Sequence, residues 1–213
     1  MEKMLGNLVA RANSKARTLF SSMLVLPIIL VLSFSGIAGA KIGTKSRPVT
    51  DLVVLHSVGG FGCKKDKWSH SGSPKKLKTV LGILANPKHV GGAHILIDRD
   101  GNIAASTPIG MTANHVYGRQ KKDDKYSYND RSIGIELLNH GDGNEEFPPK
   151  QLSALVSKLQ ELVKTYGIKR GAIVTHASVD RRKVSCEGEK EFVRRTDPGA
   201  NFKLKEVLER VFK

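Results

Sequence analysis

The chain has 213 residues, 39% hydrophobic and 26% charged, the proportions of an ordinary globular protein, which exclude a disordered or fibrous chain. Lys and Arg number 35 against 20 Asp and Glu, a formal net charge of +15. The length beyond residue 40 suffices to bury a core without help from disulfides or oligomerisation, so one domain is expected and its stability does not demand the two cysteines.

Residues 1–40 have the three parts of a secretory signal: a basic opening with Lys3, Arg11, Lys15 and Arg17, an apolar run over 23–34, and Ala38-Gly39-Ala40. Cleavage is expected after Ala40, leaving a periplasmic or secreted protein that begins at Lys41 and has no stable membrane anchor. An uncleaved anchor is the competing reading, but Pro27 and the interspersed serines and glycines weaken it, because a spanning helix needs ~20 predominantly apolar residues. Loss of residues 1–40 removes four Lys/Arg and one Asp/Glu and lowers the net charge from +15 to +12. Outside the cytoplasm that charge attracts anionic wall polymers, lipopolysaccharide or membrane surfaces rather than nucleic acid. Cys63 and Cys186 are compatible with one disulfide in an oxidising compartment, and also with two unrelated thiols.

After a polar leader over 41–50, the domain is expected over 51–213. Residues 51–56 read as a short buried strand ending on His56. The stretch 59–76, rich in glycine, serine and lysine, has no apolar periodicity and reads as a long surface loop of the kind that borders active sites. A short helix over 77–85 follows. Over 93–105 two strand-like runs flank Asp100-Gly101, a pair suited to the positive dihedrals of a tight hairpin turn. Further strands are expected over 132–138 and over 172–175, the second delivering His176. Between them Leu152, Leu155, Val156, Leu159, Leu162, Val163 and Tyr166 fall at helical spacing, with Pro149 near the start and Gly167 just past the end. A last amphipathic helix spans 204–212. Alternating strands and helices predict an α/β fold, a single domain with a central mixed sheet flanked by helices on its faces.

Histidines at the ends of two separate buried strands, His56 and His176, suit metal ligands held rigidly at one edge of a sheet. Zinc fits, since a catalytic zinc takes three protein donors and leaves its fourth position to water. From spacing alone, satisfied structural histidines are the commoner arrangement. Other blocks follow His56 in order: Gly92-Ala-His-Ile-Leu-Ile-Asp-Arg-Asp-Gly101, Ala113-Asn-His115, Ser132-Ile-Gly-Ile-Glu-Leu137, Thr175-His176 and Arg195-Thr-Asp-Pro-Gly199. Together, over 51–202, they resemble the zinc N-acetylmuramoyl-L-alanine amidases, the family of phage lysozyme-type amidases, anhydro-muropeptide amidases and peptidoglycan recognition proteins, and most closely the anhydro-muropeptide type.

The resemblance implies Zn2+ held by His56, His176 and Asp197, with Glu136 as the catalytic proton shuttle and Arg195 stabilising the oxyanion. It also implies substrate contact by His115, while His94 reads as a strand side chain near the site. The implied activity is hydrolysis of the amide between N-acetylmuramic acid and L-alanine in peptidoglycan or muropeptides. The alternatives are a non-catalytic peptidoglycan-binding protein of the same fold, or a basic adhesive protein acting through 59–76. Two departures stand out. Arg195 occupies the place of a lysine in the anhydro-muropeptide type, a planar fork in place of a point charge. The 21 positions from His176 to Asp197 imply an insertion that contains Cys186, a rival thiolate third ligand. Asp197 is preferred because its motif matches on both sides, whereas the residues flanking Cys186 do not.

Overall fold

The computed structural model describes residues 45–64, 67–86, 91–188 and 191–213; the signal-like segment and its cleavage point lie outside them. Strand β1 (Leu52–Ser57) is buried at every position. Continuous burial of that kind requires a partner on each side and cover on both faces. A three-residue strand β4 (Ile95–Ile97), β6 (Ser132–Leu137) and β7 (Ile173–Thr175) supply the parallel neighbours, and β5 (Ile103–Ala105) closes one edge antiparallel to β4. The order is β5-β4-β6-β1-β7, the mixed sheet that the alternation of elements predicts.

Successive strand residues point to opposite faces. On one face Val53, Leu55, Ile133, Ile135 and Leu137 pack against Leu155, Leu159 and Leu162 of α3 (Pro149–Tyr166) and Val207 and Val211 of α5 (Leu204–Val211). α3 has proline in its first turn, where no backbone donor is needed, and ends at Gly167, whose φ of 66° is the left-handed cap that glycine adopts without a Cβ penalty. The opposite face is mixed. Leu96 packs there with Val80 and Leu84 of α1 (Leu77–Leu84), and Leu52 and Val54 pack with Val116 and Tyr128. The positions of that face nearest the ends of β1 and β6 hold His56 and Glu136.

Three details differ from the expectations. The stretch 59–76 is not a loop: β2 (Gly60–Lys64) and β3 (Lys67–Ser71) pair antiparallel as a separate ribbon. Every residue of β3 is exposed, so neither face needs apolar residues and no period of two is written into the sequence. The 93–105 hairpin forms, but its turn spans five residues in place of a tight Asp100-Gly101 pair. Asp98 accepts hydrogen bonds from the backbone N–H of Asp100 and Asn102, and of the turn residues only Gly101 has positive φ, at 86°. Residues 45–50, read as leader, are tied to the domain: buried Arg47 donates through Nη1 to Ser132 O at 2.9 Å and through Nη2 to Ile109 O.

Candidate metal centre

Three elements bring three donors together. His56 comes from the penultimate position of β1, and His176 opens the single-turn helix α4 (His176–Val179) directly after β7. Asp197 lies on the loop after β9 (Phe192–Val193), pinned to α4 by its carbonyl, which accepts from Ala177 N at 3.0 Å. All three side chains are buried. His56 Nδ1 and His176 Nδ1 are 3.0 Å apart, and Asp197 Oδ2 stands 3.0 Å from the second and 3.3 Å from the first. Donors about 2.0–2.1 Å from a tetrahedral zinc stand about 3.3 Å from one another, so this triangle is close to one face of such a coordination sphere. Among the described residues it is the one group of three or more His, Cys, Asp or Glu able to hold a metal ion.

A hydrogen-bond chain decides which nitrogen of His56 is bare. Ser132 Oγ donates to Tyr128 O at 2.6 Å, so it accepts from His115 Nε2 at 3.1 Å. His115 Nδ1 is then an acceptor, and His56 Nε2, 3.0 Å away, must carry the proton it receives. The consequence is a His56 Nδ1 without hydrogen, its lone pair aimed into the donor triangle. Burial lowers the pKa of His56 to about 4, with the nearby Asp197 carboxylate opposing, so the ring is neutral at physiological pH, the form that binds metal. Burial works against ionisation of Asp197 too, but the hydrogen bond from His176 and the adjoining His56 ring win and hold its pKa below the ordinary carboxylate range. His115 therefore serves His56 with both nitrogens, and the surface left for a substrate is the ring where it lines the pocket. His94 is a structural side chain, as expected: Nδ1 accepts from Gly134 N at 2.9 Å and Nε2 donates to Met111 O at 3.0 Å.

Glu136 is the register partner of His56 in the parallel β1–β6 pair, so the two side chains leave the sheet on one face. Its Oε2 is sealed from solvent and has no hydrogen-bond partner among the described residues. Burial, reinforced by the charge of Asp197 and opposed by Arg195, raises its pKa to about 8. Arg195 lines the same pocket, with its Nε 4.0 Å from Asp180 Oδ2. Asp180 in turn lies 3.8 Å behind His176 Nε2 and is gripped by Arg182 through two 2.7 Å hydrogen bonds. His56, Glu136, His176, Arg195 and Asp197 line an open pocket of about 500 Å³, together with Val80, Ile83 and Leu84 of α1 and residues of the β2–β3 ribbon.

Cys186 is fully buried and disulfide-bonded, so it has no thiolate to offer a metal; the side chain of Cys63 lies outside the described ones. The insertion around Cys186 contains the short pair β8 (Lys183–Val184) and β9. Three further contributors carry no signal of their own in the sequence. Ser132 and Asp180 act only through a histidine nitrogen, and no local pattern marks them. Gly134 permits the His115 ring to lie against β6: a Cβ there would meet His115 Nδ1 at 2.7 Å.

Residues 45–200 match the family model described as N-acetylmuramoyl-L-alanine amidase. The endolysin of Enterobacteria phage K11 is 36% identical over 92 residues, which are 41% of this chain and 54% of that one, so the chain spans about half the length of the curated relative it matches. Among solved structures, a selenomethionine AmpD derivative aligns with a TM-score of 0.58 and 22% identity over 81% of this chain and 92% of its own. AmiD from E. coli, in complex with anhydro-N-acetylmuramic acid-L-Ala-D-γ-Glu-L-Lys, aligns with a TM-score of 0.55 and 21% identity over 78% of this chain and 59% of its own. At such identities the structural likeness establishes the fold.

Proposed function

This chain belongs to the N-acetylmuramoyl-L-alanine amidase family, and from that premise we propose that it is a zinc-dependent amidase that hydrolyses the bond between N-acetylmuramic acid and L-alanine, exported to the periplasm or beyond. The observation that carries this reading is the bare His56 Nδ1, turned by the His115–Ser132 relay into a triangle completed by His176 Nδ1 and Asp197 Oδ2. Three donor atoms held 3.0–3.3 Å from one another converge on one point, the arrangement a metal ion fills.

Zinc held by His56, His176 and Asp197 supplies a Lewis acid for the amide carbonyl and acidifies a water. Water adds to the lactyl carbonyl carbon, and Glu136 takes the proton it loses. The C–N bond then breaks, and Glu136 passes that proton to the departing L-alanine nitrogen, leaving a lactyl carboxylic acid and a peptide amine; the acid's remaining proton passes to the amine, giving carboxylate and ammonium. A buried carboxyl with its pKa raised to about 8 accepts a proton from water and can return it to the leaving nitrogen. Arg195 faces the oxygen on which negative charge develops. A buried carboxyl oxygen without a partner costs stability, and a protein that merely bound the wall has no use for one.

The test is mass analysis of purified sacculi digested by the mature protein, with and without chelator. Free stem peptides that begin with L-alanine, released only in the metal-replete arm, are expected. Their absence from a zinc-loaded, folded protein would overturn the reading. Export is tested separately by determining the N-terminus of the protein recovered outside the cytoplasm: Lys41 is expected, and an intact Met1 would contradict it.

A further inference from the structure

The side chain of Tyr117 is at the surface, 65% exposed, yet its backbone is held on both sides. The N–H groups of His115 and Val116 donate to Asn129 Oδ1 at 3.1 and 2.9 Å, and Gly118 O accepts from Tyr128 N at 3.0 Å. Val116 is buried in the cluster of Leu52, Val54 and Tyr128, against which Val174 and Val179 also pack. An aromatic ring with two rotatable bonds on a backbone so fixed is a rigid platform. The guanidinium of Arg182 lies over that ring, 3.7 Å from its centre.

Arg182 in turn grips Asp180, its Nε and Nη2 donating to the two carboxylate oxygens at 2.7 Å each. A guanidinium held between an aromatic face and a carboxylate fork has its plane set by both. Asp180 is only 2% exposed, and Arg182 supplies the counter-charge that lets it stay an ion there. Its Oδ2 stands 3.8 Å from His176 Nε2, four residues back on the same helical turn. At that distance the pairing is one of charge rather than a hydrogen bond. His176 is thus bracketed by two carboxylates, Asp197 3.0 Å from Nδ1 and Asp180 beyond Nε2. Only the ring with its proton on Nε2 offers Nδ1 to a metal, and an anion behind Nε2 favours that form over the one in which Asp197 keeps the proton on Nδ1.

We propose that Tyr117 is a positioning residue of the metal centre: its ring fixes Arg182, Arg182 fixes Asp180, and Asp180 sets His176 in the form that offers Nδ1; the proposal rests on the zinc reading above. The segment 115–117 then serves both imidazoles. His115 is the partner of His56 Nε2, and Tyr117, two residues on, begins the chain of contacts that ends behind His176. The competing role for these contacts is a staple for the insertion, because Arg182 O also accepts from Arg194 N at 2.7 Å where the β8–β9 pair leaves the domain. The two roles differ in what they control. A staple governs folding stability, whereas a positioning chain governs metal affinity and acts only through Asp180.

The test is zinc affinity by chelator competition for the wild type, Tyr117→Phe, Tyr117→Leu, Asp180→Asn and the Tyr117→Leu/Asp180→Asn double variant, with the denaturant midpoint of each chelated protein measured beside it. Tyr117→Leu keeps bulk but removes the aromatic face, and affinity should fall about two- to fivefold, the scale of an exposed cation–π contact. Tyr117→Phe keeps the face and should match the wild type. Asp180→Asn should lower affinity roughly 10–100-fold, and in that background Tyr117→Leu should change nothing further, because the link it acts through is gone. Should Asp180→Asn fail to fold with Arg182 left unpaired, the comparison of Phe with Leu at position 117 still decides. Equal affinity in Tyr117→Leu and wild type, a Phe variant as weak as the Leu one, or an undiminished Tyr117→Leu effect in the double variant would overturn the proposal; a lowered midpoint with unchanged affinity would assign the contacts to the staple. Because no substrate is used, the readings fail separately. Zinc bound with the expected order of affinities by a protein that leaves sacculi uncleaved would overturn the amidase reading alone, and a folded wild type that binds no zinc would overturn the metal reading and the positioning role with it.

Discussion

His56 and Glu136 are direct partners across the β1–β6 ladder, so a candidate metal donor and a carboxyl with one oxygen unpartnered among the described residues leave adjacent parallel strands on the same face. Backbone pairing, not side-chain flexibility, sets their separation, and a site built on strands holds its geometry better than one built on loops. The neighbouring Gly134 extends the arrangement by giving the His115 ring room to reach His56.

Replacing Glu136 should separate chemistry from metal binding. Glu136→Gln removes the proton shuttle and no donor, so zinc content should stay near stoichiometric while release of stem peptide falls by ~10²–10⁴-fold. Arg195→Ala should likewise retain zinc and lose turnover, since a charge that meets the oxyanion acts mainly in the transition state. Full activity in the Glu136 variant with zinc bound would refute the mechanism.

The same carboxyl predicts a stability gain. Its folded pKa of about 8 lies above the ordinary 4.5, so the metal-free folded state binds more protons than the unfolded state between those values. Stability of the chelated protein is therefore lost as pH rises through that window. Glu136→Gln should remove this loss and raise the melting temperature of the chelated protein at pH 8.5 more than at pH 4.5. Chemical denaturation at both pH values provides the measurement.

At the acid end the sign is reversed. Burial lowers the pKa of His94 and His56 from 6.5 to about 4, so the unfolded chain binds more protons as pH falls from 6.5 toward 4 and the chelated protein loses stability there. The limiting loss is on the order of 3 kcal/mol for each ring, at 1.36 kcal/mol per unit. A flat denaturation profile across that range would contradict neutral, buried rings.

The third donor can be identified by substitution. Asp197→Ala leaves two imidazoles and should abolish tight zinc binding, whereas Cys186→Ser should keep metal near stoichiometric and lose about 2–4 kcal/mol of stability with the disulfide. Metal analysis after gel filtration, together with denaturant titration, distinguishes the two. Zinc lost from the Cys186 variant and kept by the Asp197 variant would mean that the donor triangle is misassigned.

Gly134→Ala tests the relay without touching a donor. The added Cβ would collide with the His115 ring at 2.7–2.9 Å, and His115 must give way because the strand backbone cannot. His56 then loses the acceptor that orients it, and zinc affinity should fall 10–100-fold, the usual effect of removing a partner behind a metal ligand. Competition with a chromophoric chelator measures it; unchanged affinity would show that His115 does not position His56.

The amino-acid sequence by itself determined the sheet strands and the long helix, because each is written locally. A strand covered on both faces requires an unbroken apolar run such as 52–55, and a helix covering a sheet requires a 3.6-residue stripe between Pro149 and Gly167. Strand β3 left no such mark because every one of its residues is exposed. The choice between Asp197 and Cys186 could be argued from flanking residues, but only the buried, disulfide-bonded state of Cys186 removes its thiolate. The bare Nδ1 of His56 was beyond reach of the sequence for a different reason. It depends on a proton arrangement passed from Tyr128 through Ser132 and His115, residues brought into line by the register between β1 and β6, and register joins segments whose separation along the chain carries no local signal.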